Sequence, residues 1–201
     1  AAGTGLGQAR LIWTGKQHLA LATEGGHRDF APRSLLERDL WTFLHERFPE
    51  HLSYERVLSG AGLGQVYDFF ASRAEPEPAA IAARLVEGDR NAAIADLGVE
   101  RAYGPAAQAV DLFASIYGAE AGNLALGELA TGGVFVTGSD ALSGERLAKA
   151  HRRAPPARQD MAGAAGGGAC AHGRRQGACE RGVRPDEDRQ VGRAGETGLR
   201  Q

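Results

Sequence analysis

The stretch Glu24-Gly25-Gly26-His27-Arg28-Asp29-Phe30 sets two carboxylates, an imidazole and two glycines side by side. Glycines let a backbone come close to a ligand, and Glu and His exchange hydrogen bonds with hydroxyls. This combination suits a loop that grips a polyhydroxy compound. The Glu24-x-x-His27 spacing is also half of a metal site. No further His or Cys stands nearby, so hydroxyl recognition is the better reading. Asp29 has the chemistry of a general base, and equally of a brace for the loop. Glu55, beside the apolar Val57-Leu58, reads on its own as a surface charge.

A second chemical feature precedes the loop. Gly3-Thr4-Gly5-Leu6-Gly7 offers successive backbone amides free of side-chain crowding, and such a turn can cradle phosphate oxygens. A strand-like run follows it where a dinucleotide fingerprint needs a helix, and the last glycine of that fingerprint is missing. No Gly-Lys-Ser/Thr follows, which separates it from the P-loop. An ordinary hairpin turn would look the same. Cys170 and Cys179 are eight residues apart with no partner pair, so they make neither a zinc site nor a disulfide framework.

The elements that must position these residues read as α/β up to about residue 145. Ala9–Trp13 and Gln17–Ala22, joined through Thr14-Gly15-Lys16, predict a β-hairpin. Ser34 with Glu37 is a capping-box pattern. Leu36, Leu40, Phe43 and Leu44 then predict a helix reaching Phe48-Pro49. Leu63, Val66, Tyr67 and Phe70 mark a second helix, and the Ala-rich runs 79–87 and 90–97 two more. A longer helix is expected over 104–119, with Val110, Phe113, Ala114 and Tyr117 inward. Gly122–Leu126 resumes the helical pattern after a small break. Thr131–Ser139, apolar between glycines, predicts a buried strand whose end meets a ligand.

Bulk properties narrow the function further. A 43% hydrophobic fraction over 201 residues allows a real core. A net charge of -2 gives no electrostatic case for nucleic acid or an acidic membrane surface. No apolar run approaches the roughly 20 residues of a membrane-spanning helix. The first residues lack a signal-peptide pattern, and a cytoplasmic protein is expected. From residue 146 to 201, Gly, Arg and Ala dominate and large apolar residues are scarce. Such a segment buries too little to offset its ordering entropy, so a disordered or non-native tail is expected there.

Five blocks, taken in order, resemble the bacterial glucokinase family of actin-like sugar kinases. They are Gly3–Gly7, Glu24–Pro32, Glu55–Gly60, Gly122–Leu126 and Gly132–Val136. The resemblance implies the large domain of an actin-like (ribonuclease H-like) ATPase, a mixed sheet flanked by helices, over residues 1–145. It implies that Glu24, His27 and Glu55 bind glucose hydroxyls. Gly3, Thr4, Gly5 and Gly7 would hold ATP phosphates, and Gly132, Gly133 and Gly138 would sit near the adenosine. The implied reaction is phosphoryl transfer from ATP, with Mg2+, to the glucose 6-hydroxyl.

In the family the catalytic aspartate lies in a smaller domain that precedes the glycine turn. The chain is therefore expected to be a fragment without its base and inactive alone, with Asp29 as a loop brace. The residues past Ser139 depart from the family and read as out-of-frame translation of GC-rich coding DNA. Two other readings remain at this point: a kinase for another hexose, and a non-catalytic sugar-binding or regulatory module. A homodimer is compatible with the family.

Overall fold

The computed structural model describes residues 1–138. The expected tail over 146–201 and both cysteines lie outside them. Two antiparallel strands, β1 (Gln8–Trp13) and β2 (His18–Thr23), form the predicted hairpin, with Gln8 opposite Thr23 and Trp13 opposite His18. Gly15 sits at the tip with φ +90°, a conformation glycine adopts without strain. Five helices follow: α1 (Leu35–His45), α2 (Gly60–Ala71), α3 (Ala79–Val86), α4 (Arg90–Val99) and α5 (Gly104–Gly127).

The core belongs to the helices. α2 packs on α4 and α5, which also pack on each other, and α1 and α3 close the edges. Leu40, Leu44, Leu63, Tyr67, Phe69, Ile94, Leu97, Phe113 and Ile116 are all buried to 1% exposure or less. Each such side chain contributes roughly 1.5–3 kcal/mol of transfer free energy relative to full exposure. The hairpin is different. Leu11, Ile12, Trp13, Leu19 and Leu21 are 39–59% exposed, so apolar residues occupy both of its faces.

The cap predicted at Ser34 forms, and α2 and α4 are capped as well. Ser34 Oγ accepts from the Glu37 amide at 3.2 Å, and the Glu37 carboxylate reaches back to the Arg33 amide at 2.7 Å. In α2, Ser59 Oγ accepts from the Gly62 amide at 3.0 Å. Asp89 caps α4 through the amides of Asn91 and Ala92.

Three expectations shift. α1 ends at His45, because the Arg47 and Phe48 amides both fold back onto the Leu44 carbonyl and tighten the last turn. The break expected before Gly122 is absent, and α5 runs unbroken for 24 residues. Its two internal glycines cost about 1 kcal/mol each against alanine, less than the buried stripe returns. The expected strand after Thr131 is not a strand over 131–138, and Phe135 is 62% exposed. A strand needs a ladder, and here a single parallel bridge joins Gly138 to Ala2. Among the described residues the sheet is therefore one antiparallel hairpin, with that parallel bridge beside it, and not the expected mixed sheet.

Candidate functional site

The glycine turn is pinned at three points. Ala2 and Leu6 are buried, the Ala2 amide donates to the Thr137 carbonyl at 3.1 Å, and the Gly60 amide at the start of α2 donates to the Gly3 carbonyl at 2.8 Å. Three of the five amides from Gly3 to Gly7 are already engaged. Gly3 donates to the Gly5 carbonyl, Gly7 to the Ala1 carbonyl, and Leu6 to Glu55 Oε2 at 2.9 Å. The Thr4 and Gly5 amides are left as the donors a phosphate oxygen would meet.

The loop after β2 is held against this turn. Gly26 is buried in a single 3-10 turn over Gly25–His27, and a Cβ there would run into the Leu6 carbonyl oxygen. Gly25 likewise leaves room for the Gln8 side chain. Downstream, the loop pairs with the segment that carries Glu55. The Phe30 amide donates to the Leu52 carbonyl at 2.8 Å and the Tyr54 amide to the Arg28 carbonyl at 2.9 Å. The Phe30 and Tyr54 rings meet edge to face at 5.6 Å. A second 3-10 turn, Tyr54–Arg56, then aims Glu55 at the glycine turn.

These constraints open a cleft of about 450 Å³ lined by Gly3, Gly5, Gly7, Glu24, Glu55 and Gly138, among others. A second cleft of about 330 Å³ adjoins it, lined by His27, His51, Arg47 and Arg56. Glu55 lines both. Glu24, Glu55 and three glycines of the turn thus meet in one place, and His27 opens on the neighbouring cleft. Thr4 lines neither. Gly132 and Gly133 also line neither; Gly133, at φ +104°, closes the turn after α5 by donating to the Ala130 carbonyl at 3.0 Å. His27 Nε2 stands 3.7 Å from Glu24 Oε2, beyond hydrogen-bond reach, so both groups are free to turn to a ligand. The exposed Asp29 carboxylate lies 3.1 Å from His51 Nε2.

Five polar residues to which the sequence alone assigned no role support the site. Glu120 of α5 is 1% exposed and is paired with Arg28 of the loop. It also accepts from Gln8 Nε2 at 2.9 Å and Asn123 Nδ2 at 3.1 Å. Asn123 Nδ2 reaches the Tyr54 hydroxyl at 3.4 Å. Burial, and then the Glu120 charge, push the Tyr54 hydroxyl above its usual range. The signal was present in the sequence. Glu120 follows Ile116 by one turn on the inward stripe of α5, where a core residue belongs, and a carboxylate there demands a partner.

The family model described as Glucokinase matches residues 1–143. A glucokinase of Nostoc sp. is 40% identical over 150 residues, covering 68% of this chain and 44% of that protein. A glucokinase of Neisseria meningitidis is 36% identical over 136 residues, covering 68% and 39%. The chain thus spans under half the length of these relatives. Among solved structures, a glucokinase from an Antarctic psychrotroph superposes with a TM-score of 0.55 at 26% identity, covering 80% of this chain and 49% of that one. The Balamuthia mandrillaris glucokinase in complex with glucose gives 0.58 at 23%, covering 79% and 45%.

Proposed function

This chain belongs to the glucokinase family, and from that membership we propose that it carries the sugar-gripping and phosphate-facing part of an ATP-dependent hexose kinase. The whole protein transfers the γ-phosphoryl group of ATP to the 6-hydroxyl of glucose in the cytoplasm. Glu24, His27 and Glu55 hold the sugar. The glycine turn faces the phosphates, and Gly138 stands at the adenosine side of the same cleft. The observation that carries this reading is the position of Glu55. It lines both clefts and accepts from the glycine turn, so a sugar at Glu55 lies next to the phosphate-facing backbone.

Phosphoryl transfer asks a protein for alignment, charge neutralisation and a base for the attacking hydroxyl. Glu24 and Glu55 would orient the sugar by accepting its hydroxyl protons, and His27 would donate or accept at a third hydroxyl. The Gly5 amide, on the lining of the larger cleft, would stabilise a phosphate oxygen. Among the described residues no cluster of three or more His, Cys, Asp or Glu is arranged to hold a metal. Mg2+ would come with the triphosphate, held by phosphate and water oxygens, and would neutralise phosphate charge.

The only carboxylates lining the larger cleft among the described residues are Glu24 and Glu55, both read as sugar contacts. On this reading the chain by itself would bind sugar without transferring phosphate. A coupled ADP-release assay with glucose and Mg-ATP, run beside a glucose titration, tests both halves. Binding without ADP release is expected. Steady turnover overturns the inactivity, and absence of binding overturns the sugar site.

A further inference from the structure

The contact between Glu55 and the glycine turn carries a consequence for both. Glu55 Oε2 accepts from the Leu6 amide at 2.9 Å. At Gly5 a Cβ would lie 2.6 Å from that same oxygen and 3.2 Å from the carboxyl carbon. A contact of 2.6 Å cannot be tolerated, so the missing side chain at Gly5 is what lets the carboxylate reach Leu6. The backbone of Gly5 has no positive φ, unlike Gly15, Gly88 and Gly133, so conformational freedom does not explain the glycine. The space does.

We propose that the glycine turn positions the Glu55 carboxylate for the sugar: Leu6 fixes one oxygen, Gly5 makes room for it, and the other oxygen is left for a glucose hydroxyl. This rests on the sugar-binding reading of Glu55. It assigns a role in sugar affinity to Gly5, a residue otherwise read as phosphate-facing. It also joins the two ligands: a phosphate that shifts the turn shifts a sugar contact, and a sugar that holds Glu55 steadies the turn.

Gly5→Ala is the direct probe. The atom it displaces is the far end of a flexible side chain, so the carboxylate swings away while the backbone stays. Glucose titration of the 201-residue chain should show affinity falling about tenfold or more in Gly5→Ala, with the melting temperature little changed. The amide resonance of Leu6, followed by NMR, should lie downfield in the native chain, respond to glucose, and move upfield in both Gly5→Ala and Glu55→Ala. Glucose affinity equal in native chain and Gly5→Ala overturns the proposal. So does a Leu6 amide indifferent to Glu55→Ala. If the native chain binds no glucose, the sugar reading and this role fall together. An upfield move of the Leu6 amide in Glu55→Ala would then show that the contact stands and that the fault lies with the sugar site.

Discussion

Arg28 and Glu120, 92 residues apart in the chain, form an ion pair that fastens the loop after β2 to the middle of α5. The carboxylate is almost fully buried and the guanidinium half exposed. Breaking a buried pair from one side leaves an uncompensated charge, at a cost of roughly 3–5 kcal/mol. Gln8 and Asn123 still donate to Glu120, and water reaches Arg28, so Arg28→Ala should cost less, about 2 kcal/mol. Arg38→Ala is the contrast. Its pair with Asp39 is exposed and 3.5 Å long, and its loss should change stability by less than about 0.5 kcal/mol. Urea midpoints of the two variants check the difference.

Gly26→Ala should be harsher on the site than on the core. The new methyl group meets the Leu6 carbonyl, which is backbone and cannot step aside. Overpacking of this kind costs roughly 1–3 kcal/mol, and relief requires the loop to move away from the glycine turn. Stability and glucose affinity should fall together. Gly118→Ala should do the reverse for stability: this helical position is exposed, nothing stands within 4 Å, and the exchange should add about 0.5–1 kcal/mol. Paired thermal melts distinguish the two glycines.

Stability should decline in alkali. Burial raises the hydroxyls of Tyr67 and Tyr117 above the usual tyrosine range, and for Tyr67 a hydrogen bond to Glu77 adds to the effect. Tyr117 donates to the Thr137 carbonyl at 2.9 Å. With a folded pKa above the unfolded one, the folded chain holds more protons once pH passes about 10. The stabilisation is therefore complete below that pH and is lost as pH rises through the folded values. Urea midpoints should be flat from pH 8 to 9.5 and fall above 10. Tyr67→Phe should flatten the fall, and an unchanged slope in that variant would contradict the assignment.

Much of this arrangement was legible in the residues. Ser34 with Glu37, the turn at Gly15 and the inward stripes of α2 and α5 are local patterns, and local patterns survive folding. The gathering of Glu24 and Glu55 into one cleft was not readable from spacing, because the pairing of Phe30 with Leu52 brings them together. Glu55 alone looked like a surface charge, and the family resemblance raised it to a ligand. Val134–Thr137 misled in the other direction. An apolar run between glycines has the composition of a strand, but pairing is a property of neighbours, and one bridge to Ala2 is what it finds among the described residues. Arg28 was legible only as part of a motif. Its partner Glu120 lies on a helix whose other inward residues are mostly apolar, and no short-range rule joins the two.

The central claim is that Glu24, His27 and Glu55 grip a sugar, and calorimetric titration of the 201-residue chain with glucose, native and Glu55→Ala, tests it most directly. The account predicts saturable binding to the native chain and at least a tenfold loss of affinity in Glu55→Ala, with circular dichroism unchanged. Equal binding by the two chains, or no heat from either, would contradict it.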